Sequence, residues 1–167
     1  MIMEIDIEEI SIRTIEKHDN EALAKVVRDT LAEFGANRPG TVYYDETTDH
    51  LFEVFQTPRS IYYVAEYMGE LVGGGGIYPS DGLDEDTCEL VKMYLRKKVR
   101  GIGLGKHLIE KCIDFARQAG YKQIYIETMP ELKQALKTYE KFGFEYIDYP
   151  MGNTGHFGCD LWMLKKL

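Results

Sequence analysis

Leu23, Val26, Val27, Thr30, Leu31 and Phe34 recur at intervals of three and four residues, the spacing that puts apolar side chains on one face of a helix. Asp19 or Asn20 supplies a cap for its start and Gly35 a stop. Ahead of it, Ile10-Ser11-Ile12 with Ile15 predicts an opening strand. Leu51, Phe52, Val54 and Phe55 predict a short second helix ending before Pro58, because the residue before a proline is pushed out of the helical region. The β-branched and aromatic run from Ile61 to Tyr67 predicts a strand. Met68-Gly69-Glu70 then makes a hairpin turn into a partner strand from Leu71 to Tyr78. That strand carries glycine at four consecutive positions, Gly73 to Gly76, which weakens it and marks a bulge or a close backbone approach.

Pro79 to Asp86 is an acidic loop, and Cys88 to Leu95 reads as the next strand. Leu104, Leu108, Ile109, Cys112, Ile113 and Ala116 form a second helical stripe, closed by Gly120. Gln123 to Thr128 is a strand. Pro130 suits the first turn of a further helix, whose buried face would be Leu132, Ala135, Leu136, Tyr139 and Phe142. Phe144 to Tyr149 and Phe157 to Leu164 predict a closing antiparallel pair around the turn Gly152-Asn153-Thr154-Gly155. The order β-α-α-β-β-β-α-β-α-β-β implies an α/β fold, one domain over residues 1–167, with a mixed, largely antiparallel sheet flanked by helices.

Composition narrows the function. Hydrophobic residues make up 44% and charged residues 29% of the 167-residue chain, the balance of a globular protein with a real core. A net charge of −8 argues against nucleic acid as a partner and suits a cationic acceptor such as an amine. No apolar run reaches the length of a membrane span, and the acidic start is unlike a signal peptide, so a membrane partner is not expected. Three cysteines, Cys88, Cys112 and Cys159, fit a reducing cytoplasm better than a disulfide framework. His156 and Cys159 have the spacing of a metal pair, with Cys88 or His107 as conceivable partners, but three or four converging ligands are not in evidence and no metal is expected.

The segment Arg100-Gly101-Ile102-Gly103-Leu104-Gly105-Lys106 lies between a strand and a helix start. Alternate glycines strip side chains from this turn, so backbone N–H groups and the positive end of the helix dipole converge on one spot. Such a turn is an anion site, whose usual biological anion is a phosphate or pyrophosphate, although a glycine-rich turn by itself could be a plain tight turn. Arg100 and Lys106 flank it with positive charge. It is neither a Walker A loop nor a dinucleotide fingerprint, since His107 follows Lys106 and G-x-G-x-x-G fails in either register.

The pattern that does fit is Arg-x-x-Gly-x-Gly at Arg100, Gly103 and Gly105. It resembles the acyl-CoA pyrophosphate loop of the GNAT superfamily of acetyltransferases. The strand Cys88–Leu95 resembles that family's fourth strand. Ala135-Leu136-Lys137-Thr138-Tyr139-Glu140-Lys141-Phe142-Gly143-Phe144 is similar to its last helix with a Gly-Phe exit. The likeness is strongest from about Tyr62 to Tyr149 and does not identify a subfamily.

The resemblance implies an N-acetyltransferase that uses acetyl-CoA as acyl donor. It would transfer the acetyl group to a primary amine of a small molecule or protein, by direct attack in a ternary complex. Transfer of a longer acyl group, or a noncatalytic acyl-CoA-binding module, are the competing readings. By the same resemblance, backbone groups of Met93 and Leu95 pair with the pantetheine arm, and N–H groups from Gly101, Ile102, Gly103, Leu104, Gly105 and Lys106 take the pyrophosphate. Glu89 falls where family members place a catalytic base, although it could be a solvated strand carboxylate. Tyr139 falls where the family has the acid that protonates the leaving thiolate, although it could be a core residue of the helix stripe. Leu132 stands where many members have an asparagine that bonds pantetheine, and Gln134 could substitute. Tyr43, Tyr44 and Asp45 belong to a loop that covers the acceptor site in this fold, and His156 could line the other wall. Asp45 or Thr47 could equally cap a helix. Exposed strand edges in such sheets often pair, which would make a homodimer.

Overall fold

The structure is a computed structural model and describes residues 4–167. The first three residues of the expected domain lie outside it. Seven strands form one sheet: β1 (Ile10–Thr14), β2 (Ile61–Tyr67), β3 (Glu70–Tyr78), β4 (Thr87–Leu95), β5 (Gln123–Thr128), β6 (Glu145–Ile147) and β7 (Leu161–Lys166). Their spatial order is β1-β2-β3-β4-β5-β7-β6. Every neighbouring pair is antiparallel except β4 with β5. Four α-helices join them, α1 (Asn20–Glu33), α2 (Leu51–Val54), α3 (Leu104–Gln118) and α4 (Lys133–Lys141), in the order expected from the sequence.

The two predicted stripes become the two cores. Leu23, Val26, Val27 and Leu31 of α1 pack with Leu51, Tyr62 and Val64 on one side of the sheet. Ile109, Cys112, Ile113 and Ala116 of α3 pack with Cys88, Leu90, Ile124 and Met163 on the other. Each fully buried aliphatic side chain in these layers contributes about 1.5–3 kcal/mol.

The glycine run of β3 lets another strand's ring pass. A Cβ on Gly74 would sit 2.6 Å from the Tyr62 ring, and one on Gly76 would strike Tyr62 and the carbonyl of Ile61. The bare backbone therefore lets the buried Tyr62 ring lie across β3. Its hydroxyl donates to the Lys92 carbonyl on β4 at 2.7 Å.

Local details depart from expectation. Neither Asp19 nor Asn20 caps α1 with its side chain. Asp19 is buried and takes two bonds from the Arg13 guanidinium, at 2.7 and 2.9 Å, while the Asn20 side chain accepts from the Phe52 N–H. A charged partner outcompetes the cap. Pro130 lies in a turn ahead of α4, which begins only at Lys133. Of its predicted buried face Tyr139 alone is fully buried; Leu132, Ala135 and Phe142 also line an open groove, and Leu136 is partly buried against the core. The last strand begins at Leu161, and Phe157 is exposed in a turn. Residues 148–160 leave the sheet because their polar groups bond elsewhere: Asn153 N–H to Asp81 at 2.7 Å and Gly158 N–H to Gly40 at 2.8 Å.

Candidate functional site

Strand β4 positions the site through two irregularities. It runs beside β5 for three pairs only, Thr87–Gln123, Cys88–Ile124 and Glu89–Tyr125. Beyond Glu89 the strands part, and β4 keeps a neighbour on the β3 side alone. The second irregularity is at Lys92, a non-glycine residue with φ of +52°. Here the β3–β4 register passes from Gly76–Val91 to Gly74–Tyr94, so β4 carries one extra residue. Such a bulge re-aims side chains beside functional sites. It places Lys92 on the cavity that Glu89, Val91 and Tyr94 also line.

Two cavities occupy the opening. The larger, about 480 Å³, runs from Met93, Tyr94 and Leu95 past Arg100, Gly101, Gly103, Gly105 and Lys106 to Ala135, Thr138 and Tyr139 of α4. Gly101 and Gly103 have φ of +79° and +94°, left-handed values that glycine adopts without steric cost. A Cβ added at either would point into open space. Gly103 immediately precedes α3, so the turn presents a helix N-terminus to the groove. Ile102 and Leu104 pack instead with the apolar cluster of Val72, Val99 and Leu108, leaving only their backbones to face the turn.

Arg100 is at the groove wall, but its guanidinium is already engaged. It donates to the Leu95 carbonyl at 3.0 and 2.8 Å and pairs with Glu33 at 2.5 Å. It therefore braces the turn, and Lys106 and Lys141 are the lining cations outside any ion pair among the described residues. Leu132 and Gln134 both line this groove. The Tyr139 ring packs edge-on to Phe144, and its hydroxyl makes no protein hydrogen bond among the described residues. Burial raises its pKa, so it stays protonated at neutral pH.

The smaller cavity, about 40 Å³, is lined by Glu89, Lys92, Glu127 and His156 among others. Tyr94 and Leu132 line both cavities, so the two meet there. Glu89 is 5% exposed and accepts from the Ser80 hydroxyl at 2.5 Å. Burial, reinforced by the Glu127 charge, pushes its pKa up to about 7 against the opposing pull of Ser80, Lys92 and His156. His156 Nε2 is 2.6 Å from Asp45 and its Nδ1 3.4 Å from Glu127. Burial alone would lower the His156 pKa, but the bonds to Asp45 and Glu127 outweigh it and raise it to about 9. The imidazolium is thus the resident form at neutral pH.

Asp45 spends its carboxylate on His156 and caps nothing. Tyr43 is partly buried against the first core, while Tyr44 is largely exposed on the outer face of the same loop. Of the expected site residues, Glu89 and His156 line the smaller cavity, with Asp45 bonded to His156 behind it, and Met93, Leu95, Arg100, Gly101, Gly103, Gly105, Lys106 and Tyr139 line the larger. Glu127 and Lys92 were not foreseen. Glu127 is an acid inside an apolar strand, two residues beyond the partner of Glu89, which is the signal that could have found it. It accepts from the Tyr125 hydroxyl at 2.9 Å and from the Thr154 hydroxyl.

Comparison with known proteins gives a consistent result. The Acetyltransferase (GNAT) family profile matches residues 23–144. The uncharacterized N-acetyltransferase YjgM of Escherichia coli is 44% identical over 157 residues, spanning 93% of this chain and 94% of that protein. A GNAT-family acetyltransferase from Staphylococcus aureus superposes with a TM-score of 0.80 at 20% identity, over 94% of this chain and 98% of its own. The PaiA N-acetyltransferase of Thermoplasma acidophilum, solved with coenzyme A, superposes at 0.73 and 20% identity, over 95% and 99%.

Proposed function

Because the chain belongs to the GNAT family and is an N-acetyltransferase, we propose that it transfers an acetyl group from acetyl-CoA to a primary amine by direct attack in a ternary complex. One observation carries this reading: two cavities meet at Tyr94 and Leu132, with a buried carboxyl lining one and a protonated tyrosine the other. The groove fits the donor. It is long and mostly apolar, it ends at a glycine turn without Cβ atoms, and the open edge of β4 gives backbone groups for an extended arm to pair with. The N–H of Leu95 suits that role better than its carbonyl, which Arg100 already occupies. When bound, acetyl-CoA supplies a thioester carbonyl at the cavity junction.

The chain's own groups manage protons and alignment. An amine arrives mostly as its ammonium form. Glu89, with a pKa of about 7, takes that proton, directly or through a water. The freed nitrogen pair forms the new N–C bond as the C–S bond breaks. Tyr139 donates its hydroxyl proton to the departing sulfur, and the second proton that the nitrogen sheds on becoming an amide returns through water to the Tyr139 oxygen. A thiol-release assay with acetyl-CoA and a panel of amines tests the reading, with propionyl-CoA and butyryl-CoA in parallel for chain length. Binding of CoA without thiol release on any amine would leave a binding module instead.

A further inference from the structure

Lys92 lines the smaller cavity, and the proton chemistry does not use it. It is partly buried, and its left-handed backbone is an unfavourable conformation for a long side chain. The Tyr62 hydroxyl fastens its carbonyl from across β3. The bulge thereby turns Lys92 to the face of Glu89, three residues earlier, which strict strand alternation would put on the opposite side.

The surrounding charges are distributed unevenly. His156 is shared between Asp45 and Glu127, and Glu127 is further held by Tyr125 and Thr154. Glu89 is bonded to Ser80. The Lys92 ammonium lies near enough to Asp45, Glu89 and His156 to feel their charge. Yet among the described residues it has neither a hydrogen-bond nor an ion-pair partner. A partly desolvated cation without a partner is costly. An acceptor carrying only an amine would enter as a cation and add repulsion.

Resting on the transferase reading above, we propose that the acceptor is a small zwitterion, a free amino acid, whose carboxylate is held by Lys92 while its amine faces Glu89. The cavity of about 40 Å³ admits only a compact head, which an amino acid's charged end provides. Lys92 is then a specificity residue, complementary to a group that the amine chemistry itself does not require.

The test compares kcat/KM for the common L-amino acids with their primary amides at pH 7.5, using acetyl-CoA and thiol release. The amide has the larger fraction of free amine, so a preference for the acid runs against that bias. Wild type should favour the acid of its best acceptor by about tenfold or more, chiefly through KM. Lys92→Met should bring the acid-to-amide ratio close to one, and Lys92→Arg should restore part of it. Retention of the CoA-induced thermal shift establishes that each variant is folded. The proposal is overturned if wild type treats acid and amide alike or prefers the amide. It is equally overturned if a folded Lys92→Met loses activity on both in proportion. Should that variant not fold, the wild-type ratio decides alone. Failure of every amine to release thiol would instead sink the transferase reading, and this one with it.

Discussion

Glu89→Gln preserves side-chain shape and the oxygen that accepts from Ser80, and removes only the ionisable group. With the pKa at about 7, about a tenth of the carboxyl is ionised one pH unit below and about nine-tenths one unit above. Wild-type kcat at saturating acceptor should therefore rise about tenfold between about pH 6 and pH 8. In the variant kcat should fall by about 10²–10⁴-fold and that acidic limb should vanish. Free-amine titration complicates kcat/KM, so kcat on one acceptor is the quantity to compare. The same pKa has a stability consequence. The folded value lies above the ordinary 4.5, so the stability it contributes is full below about pH 4.5 and lost as pH rises through about 7. Glutamine loses nothing over that range. The Tm difference, variant minus wild type, should grow with pH, corresponding to something on the order of 3 kcal/mol at most. An acidic limb that persists unchanged in the variant would refute Glu89 as the base. A pH-independent Tm difference would refute the burial argument.

Tyr139→Phe should lower kcat roughly ten- to a thousand-fold if Tyr139 is the proposed donor to sulfur, while stability changes by about 1 kcal/mol or less, because the hydroxyl bonds no protein group among the described residues. Wild-type kcat in the folded variant would make it a packing residue. Gly103→Val should cost about 1–2 kcal/mol through its φ of +94°. It should also abolish the CoA-induced thermal shift, which in wild type corresponds to about 2.7 kcal/mol at 100 times Kd; an undiminished shift would mean that the phosphates sit elsewhere. The folded pKa of His156 is raised from 6.5 to about 9, so its stabilising contribution is full below about pH 6.5 and lost as pH rises through about 9. His156→Ala should consequently destabilise most near pH 6 in urea unfolding, with the deficit closing by about pH 10, and a constant deficit would contradict the ion pairs.

Periodicity exposed most of the fold because each stripe had one partner surface. The β2 and β5 limits and the whole α3 face follow from local pattern alone. The groove beside the glycine turn was legible for a similar reason, since a glycine turn at a helix start announces its own backbone. The smaller cavity was not. Lys92 changes face at a bulge that depends on Tyr62 and on glycines of a different strand. Glu127 joins Glu89 only through the β4–β5 register. Asp45 and His156 are 111 residues apart, and nothing near either one in sequence indicates that they meet. The Arg100 side chain could not be placed either, because its partner Glu33 ends a helix far upstream.

The parting of β4 from β5 leaves a strand edge in the middle of the sheet, interrupted at the Lys92 bulge but with no proline along it. Unpaired edges recruit other chains. An acyl donor lying along β4 would occupy that edge as a strand does. The donor is then also a guard against self-association: a preparation stripped of CoA should aggregate sooner on concentration or warming than one kept saturated. Metabolic supply of one substrate would set how long the protein stays usable, quite apart from how fast it turns over.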